Sequence, residues 1–323
     1  MKTIKKALLI TAMALSGGMM IFAITQIYSM WQNKYRSPNK PLYPTELVYK
    51  NAKGNNMRLD VYRPNDTAAI HKTIIYIHGG TWISGTKRKV QDQYRYYAIK
   101  TLLDNNIEII SIDYSLIGRQ ANTLENCIYD CCDAIKYCIE NAHYLGIDTA
   151  QIGLWGSSAG AHLAMMSYIQ LPNQEIIKFI IDDFGPSDIS ELWSIVPDFV
   201  RRFMSTIFFH LPYRDLKKFD SLTKAFSPLY YSKSLSKVPI LISHGEKDPI
   251  VNCKQSIWLH DSLPNTSELF IYPELKHGFK TMDSTEIKLY TDRVMEFVEK
   301  PRTLSPQGGL VSGDTEIPSS RRL

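Results

Sequence analysis

From Thr45 onward, short apolar runs alternate with longer amphipathic stretches. Residues 47–49 and 57–62 read as two strands joined through Gly54-Asn55-Asn56, with Arg63-Pro64-Asn65-Asp66 closing the hairpin. Residues 73–77, 107–112, 152–155, 179–183, 238–243 and 268–272 read as further strands, most of them continuous β-branched or apolar runs. Between them, residues 91–104, 123–144 and 161–169 carry helical spacing, and the second of these is expected to close at Gly146. Strands alternating with helices predict an α/β fold with a mostly parallel central sheet and helices on both faces. One connection, residues 187–237, is far longer than the rest and rich in Trp, Phe, Tyr and basic residues. A connection of that length in a compact fold predicts a helical cap insert.

The ends have a different character. Lys2, Lys5 and Lys6 precede residues 7–33, which carry no charge and are strongly apolar through Tyr28. This is a basic segment followed by an apolar one of membrane-spanning length. The nearest small-x-small cleavage site, Ala23-Ile24-Thr25, is poor. Residues 1–44 are therefore expected to form an uncleaved signal anchor and linker, with a cleaved signal peptide as the alternative. Residues 45–299 form the main domain, expected on the extracytoplasmic side of the membrane, or secreted if the segment is cleaved. Residues 300–323, rich in Pro, Ser, Gly and Thr, read as a disordered tail.

Charge and cysteine usage narrow the classes further. The 323-residue chain has a net charge of +5, yet residues 41–299 hold 27 Lys and Arg against 30 Asp and Glu, a balance of −3. That argues against nucleic acid as a partner of the main domain. Of five cysteines, Cys127, Cys131, Cys132 and Cys138 fall in one helical segment, and three of them share a face with Ile128 and Ile135. They are expected to pack as small buried hydrophobes. No His or Cys spacing resembles a zinc site, so neither metal nor cofactor is expected.

The candidate chemistry centres on Gly156-Ser157-Ser158-Ala159-Gly160, between a strand and a helix. A Gly-x-Ser-x-Gly in that setting makes a sharp turn that pushes the central serine toward substrate, so Ser158 is the candidate nucleophile. A serine hydroxyl needs a base within hydrogen-bond reach and an acid to orient that base. His277 follows the last strand and Asp248 follows the strand before it, giving the order serine, acid, histidine. Glu246 and Asp188 are the fallback acids. A developing oxyanion needs backbone N–H donors, and His78-Gly79-Gly80-Thr81-Trp82 directly after a strand suits that task. Gly80 and Thr81 are the candidate donors from this loop, with Ala159 as the third. His78 is expected to brace the loop rather than exchange protons.

These pieces resemble the α/β-hydrolase superfamily, specifically small esterases similar to hormone-sensitive lipase. The His-Gly-Gly-x-Trp loop is shared with kynurenine formamidases and with carbohydrate-ester and prenylcysteine methyl esterases. The resemblance spans residues 47–298 and rests on His78 to Trp82, IGLWGSSAGAHLA from Ile152, HGEKDPIV from His244, and His277-Gly278-Phe279. It implies the α/β-hydrolase fold, the triad Ser158, Asp248 and His277, and the oxyanion hole of Gly80, Thr81 and Ala159. Two positions depart from the pattern. Thr81 stands where many relatives have a third glycine, which is harmless to a backbone donor. Tyr114-Ser115 stands where many relatives have a Tyr-Arg pair, so the resemblance implies no particular salt bridge near Asp113.

The resulting expectation is a serine hydrolase of short-chain or acetyl-type carboxylic esters that works through an acyl-enzyme on a small-molecule substrate. Trp193, Phe199, Phe203, Phe208 and Phe209 of the insert are expected to narrow the acyl pocket. Alternatives are an aryl formamide hydrolase and a non-catalytic, membrane-tethered binding domain.

Overall fold

The computed structural model describes residues 41–300, apart from 53–54, 67–69, 93, 195–196 and 213–214. The expected anchor, most of its linker and the expected tail lie outside the described residues. Among the described residues, no helix is long and apolar enough to cross a membrane.

Eight strands form one sheet: β1 (Thr45–Ala52), β2 (Asn55–Tyr62), β3 (His71–Ile77), β4 (Ile107–Ile112), β5 (Ile147–Ser157), β6 (Ile177–Asp183), β7 (Ile240–Gly245) and β8 (Ser267–Tyr272). Their order is β1-β2-β4-β3-β5-β6-β7-β8. β1, β2 and β4 pair antiparallel, and from β4 to β8 every neighbour is parallel. The sequence places the turn of the first hairpin at Gly54-Asn55-Asn56. Instead Asn55 and Asn56 already belong to β2, paired with Ala52 and Asn51, because the ladder runs nearly to the end of both strands.

The helices divide between the two faces of the sheet, as the alternation of elements predicts. On one face, α1 (Tyr94–Asp104) and the C-terminal α8 (Ser284–Glu299) pack with Ile74, Tyr76, Ile109, Trp155 and Ile181. On the other, α2 (Leu124–Glu140), α3 (Ala159–Gln170) and α7 (Lys254–Ser262) pack with Ile75, Ile77, Ile110, Leu154 and Ile242. Strands covered on both sides can be apolar throughout, which explains the fully buried run of β4. The expected helix over residues 123–144 is interrupted at Asn141. A short helix, Ala142–Leu145, follows and ends at Gly146 in the left-handed conformation. Cys127, Cys131 and Cys138 are fully buried free thiols against the sheet, as their shared face predicts.

The long connection after β6 is helical: α4 (Ile189–Ser194), α5 (Asp198–Phe209), α6 (Leu216–Ala225) and two short turns before β7. It has its own aromatic centre, in which Trp193 meets Phe208 at 5.5 Å and Phe209 stacks on Phe226 at 5.5 Å. Phe199 and Phe203 are 44% and 58% exposed on the outer stripe of α5. This corrects the expectation that they narrow an acyl pocket. One turn apart on a helix, they share the face opposite buried Ser205 and Phe208.

Candidate active site

Ser158 sits between β5 and α3 with φ 55° and ψ −124°, outside the regions open to an unstrained L-residue. The turn closes only because its flanks lack side chains. A Cβ on Gly156 would lie 2.3 Å from the Gly160 carbonyl oxygen, and one on Gly160 would lie 2.0 Å from that of Ile77. The Ser158 amide is anchored on the next strand by donating to the Asp183 carbonyl at 2.8 Å.

His277 follows β8 in a single helical turn, and its ring packs edge-on against Phe184 at 4.9 Å. Its Nε2 lies 2.9 Å from Ser158 Oγ and its Nδ1 lies 2.6 Å from Asp248 Oδ2. Asp248 can only accept at Nδ1, so that nitrogen carries the proton and Nε2 is left to accept from the serine hydroxyl. The Asp248 Oδ1 accepts from the amides of Ile250 at 2.8 Å and Val251 at 3.0 Å. Burial alone would raise the Asp248 pKa. Hydrogen bonds from His244 and His277 outweigh that and hold it well below the ordinary carboxylate range.

The three residues named from sequence order are thus in line, while the fallback acids are elsewhere. Glu246 is exposed to solvent. Asp188 accepts from Ser190, Ser227 and Tyr230, which ties the start of the insert to its end.

The loop after β3 carries three successive positive φ values, 132° at Gly80, 53° at Thr81 and 61° at Trp82. Its carbonyls are turned inward, and that of Gly80 accepts from the amides of Ile83 at 3.2 Å and Ser84 at 3.0 Å. The Thr81 amide has no protein acceptor among the described residues. The amide of Ala159 lies in the first turn of α3, where no intrahelical acceptor exists. His78 is fully buried, its ring stacked on Tyr114 at 4.3 Å, and burial pushes its pKa down to about 3. It is therefore neutral and braces the loop. Near Asp113, the Lys87 amide donates to Asp113 Oδ1 at 2.7 Å and the Lys87 Nζ lies 3.7 Å from Oδ2.

Three supporting residues escaped the sequence reading. His244 Nε2 faces both the Val251 carbonyl at 2.9 Å and Asp248 Oδ2 at 3.2 Å, and its Nδ1 lies 2.6 Å from Ser256 Oγ. A second imidazole thus donates to the same carboxylate oxygen as His277. The buried Asp183 carboxylate accepts from Trp155 Nε1 at 2.9 Å, Tyr94 at 2.9 Å and Tyr290 at 2.8 Å, tying α1, α8 and β5 together beneath the elbow. His162, one turn into α3, receives the Trp82 indole N–H at 3.2 Å. His244 lies inside the HGEKDPIV segment, so its position was a signal. His162 lies likewise inside IGLWGSSAGAHLA, whereas Asp183 has no spacing that separates it from ordinary core residues.

A strained serine after β5, a histidine between it and a carboxylate, and two loops with free amides define the site. The family model BD-FAE matches residues 59–263, more than half of the chain and all of the elements around Ser158 and Asp248. The chain belongs to the BD-FAE family. Among curated relatives of this BD-FAE chain, isoprenylcysteine alpha-carbonyl methylesterase ICME of Arabidopsis thaliana is 24% identical over 245 residues, covering 72% of this chain and 55% of the relative. Ethyl acetate hydrolase of Pseudomonas putida is 23% identical over 251 residues, covering 74% and 76%. The chain spans only 55% and 54% of the length of two isoprenylcysteine alpha-carbonyl methylesterases that it matches, of Arabidopsis thaliana and of Oryza sativa. Among solved structures, apo Thermogutta terrifontis esterase 2 superposes with a TM-score of 0.62 at 20% identity, over 81% of this chain and 97% of the other. That likeness establishes an α/β-hydrolase fold for this BD-FAE member.

Proposed function

We propose that the chain hydrolyses carboxylic esters of small acyl groups through a covalent acyl-enzyme. The observation that carries this reading is the hydrogen-bonded line from Ser158 Oγ to His277 Nε2 at 2.9 Å and from His277 Nδ1 to Asp248 at 2.6 Å. In this reading His277 takes the Ser158 proton as the hydroxyl attacks the ester carbonyl, and Asp248 steadies the imidazolium that forms. The amides of Thr81 and Ala159, with Gly80, receive the oxyanion, each donor contributing about 2.7–4 kcal/mol to the transition state. His277 then returns the proton to the departing alkoxide, and a water repeats the sequence on the acyl-serine.

Support for small acyl groups comes from the names of two relatives, ethyl acetate hydrolase and an acetyl esterase of Salmonella typhi, the latter 25% identical over 273 residues. It also comes from Phe208 of the insert, packed against Trp82 of the oxyanion loop and backed by Trp193. Turnover of p-nitrophenyl acetate set against that of N-formylkynurenine tests the reading. Preferred cleavage of the ester is expected, and preferred cleavage of the formamide overturns it.

Residues 7–28 are further proposed to hold the chain in a membrane with the hydrolase domain on the outer side, on the strength of their apolar length. N-terminal sequencing of the mature protein checks this. A mature terminus between Ser16 and Met30 would replace the anchor with a cleaved signal.

A further inference from the structure

Trp82 is the residue directly after the candidate donor Thr81, and both have positive φ. Positive φ costs a non-glycine residue about 1–3 kcal/mol, so the surroundings must hold the loop there. Trp82 is held on three sides. Its carbonyl accepts from the Ile117 amide at 2.9 Å, its ring meets Phe208 of α5 edge-on at 5.8 Å, and its indole N–H donates to His162 Nδ1 at 3.2 Å. His162 is itself fully buried, and its other nitrogen donates to the Phe226 carbonyl at 2.7 Å, just beyond α6 at the far end of the insert. Both bonds require a single neutral tautomer, with the proton on Nε2. A cation would turn an N–H toward the Trp82 N–H and break the first bond. Burial disfavours that cation, pushing the His162 pKa down to about 4.

We propose that His162 is a positioning residue that couples the seating of the helical insert to the orientation of the oxyanion loop, with Trp82 as the intermediary. The chain Phe226 to His162 to Trp82 to Thr81 joins three segments distant in sequence. It passes through α3, whose first turn carries Ala159, the donor from the other side. How the insert sits on a bound substrate is then transmitted to the amide that faces the oxyanion. This rests on the ester-hydrolase reading given above.

The residue chemistry supplies separable variants. His162→Leu breaks both bonds. His162→Asn keeps an oxygen near the Nδ1 position to accept from Trp82 but cannot reach Phe226. Trp82→Phe keeps the ring and deletes only the indole donor. The proposal expects His162→Leu and Trp82→Phe each to lower kcat on p-nitrophenyl acetate by about tenfold or more with little change in KM. That is below the roughly 10²–10³-fold cost of deleting an oxyanion donor outright. The double variant should be no worse than the worse single one, because both break one link. His162→Asn should restore most of kcat while altering discrimination between short and long acyl esters, since only the link to the insert is lost.

The Trp82 indole 1H–15N resonance, assigned by its absence in Trp82→Phe, gives a readout free of turnover and should shift in His162→Leu but much less in His162→Asn. Multiplicative losses in the double variant, or kcat unchanged while only thermal stability falls, overturn the coupling. An unshifted indole resonance in His162→Leu overturns it whether or not esters are cleaved. Wild-type protein that cleaves no ester, with the resonance behaving as expected, instead refutes the ester reading and leaves the hydrogen-bonded link standing.

Discussion

Ser158 is held at φ 55° by a turn that its glycine flanks make possible, so an alanine there keeps the backbone and removes only the hydroxyl. Ser158→Ala is expected to lower ester turnover at least about a thousandfold while leaving the denaturation midpoint close to wild type. Residual turnover above that level would point to another nucleophile. Asp248→Asn should be severe but less so than His277→Ala, because the asparagine misorients the base without deleting it. Glu246→Gln, on an exposed side chain, should be nearly silent in the same assay. These three residues were legible because each follows a strand in the order that the fold's geometry requires. Their supports were not. The second imidazole on Asp248, His244, and the link between loop and insert, His162, lie inside the HGEKDPIV and IGLWGSSAGAHLA segments, but only three-dimensional pairing shows which group each one supports.

At the scale of elements, β4 contains a feature that the pattern of apolar runs hides. Glu108 stands in an otherwise apolar buried strand, and both its carboxyl oxygens are buried without a hydrogen-bond partner among the described residues. Burial pushes its pKa up to about 7. A group whose folded pKa lies above its unfolded value contributes stability in full below the unfolded pKa, near 4.5, and loses it as pH rises through about 7. The loss amounts to at most about 3 kcal/mol. Urea midpoints measured at about pH 5 and about pH 8 should therefore fall in the wild type and change much less in Glu108→Gln. An equal fall in both would assign the dependence to other groups. The insert carries a second prediction. With Phe208 packed against Trp82 and backed by Trp193, rates across acetyl to dodecanoyl p-nitrophenyl esters should peak at short chains, and an optimum at about eight carbons or beyond would contradict this. Phe199 and Phe203 were misread because helical composition does not say which stripe of α5 faces the aromatic centre of the insert.

For the molecule as a whole, the parallel sheet and its two helical layers were legible, since strands buried on both faces read as unbroken apolar runs. What escaped lay where local signals conflict. The first turn was displaced by ladder pairing, and the helix over residues 123–144 was broken at Asn141 despite its continuous spacing. The helices Lys254–Ser262 and Ser284–Glu299 were passed over, although the second packs in one cluster with Trp155 and its Tyr290 donates to Asp183. All of these elements converge on one serine aligned with one histidine. The most direct measurement is therefore labelling of the full chain with a fluorophosphonate, followed by mapping of the modified peptide. A single stoichiometric adduct on Ser158 is expected, lost in Ser158→Ala and strongly slowed in His277→Ala. No adduct, or an adduct on any other residue, would contradict it.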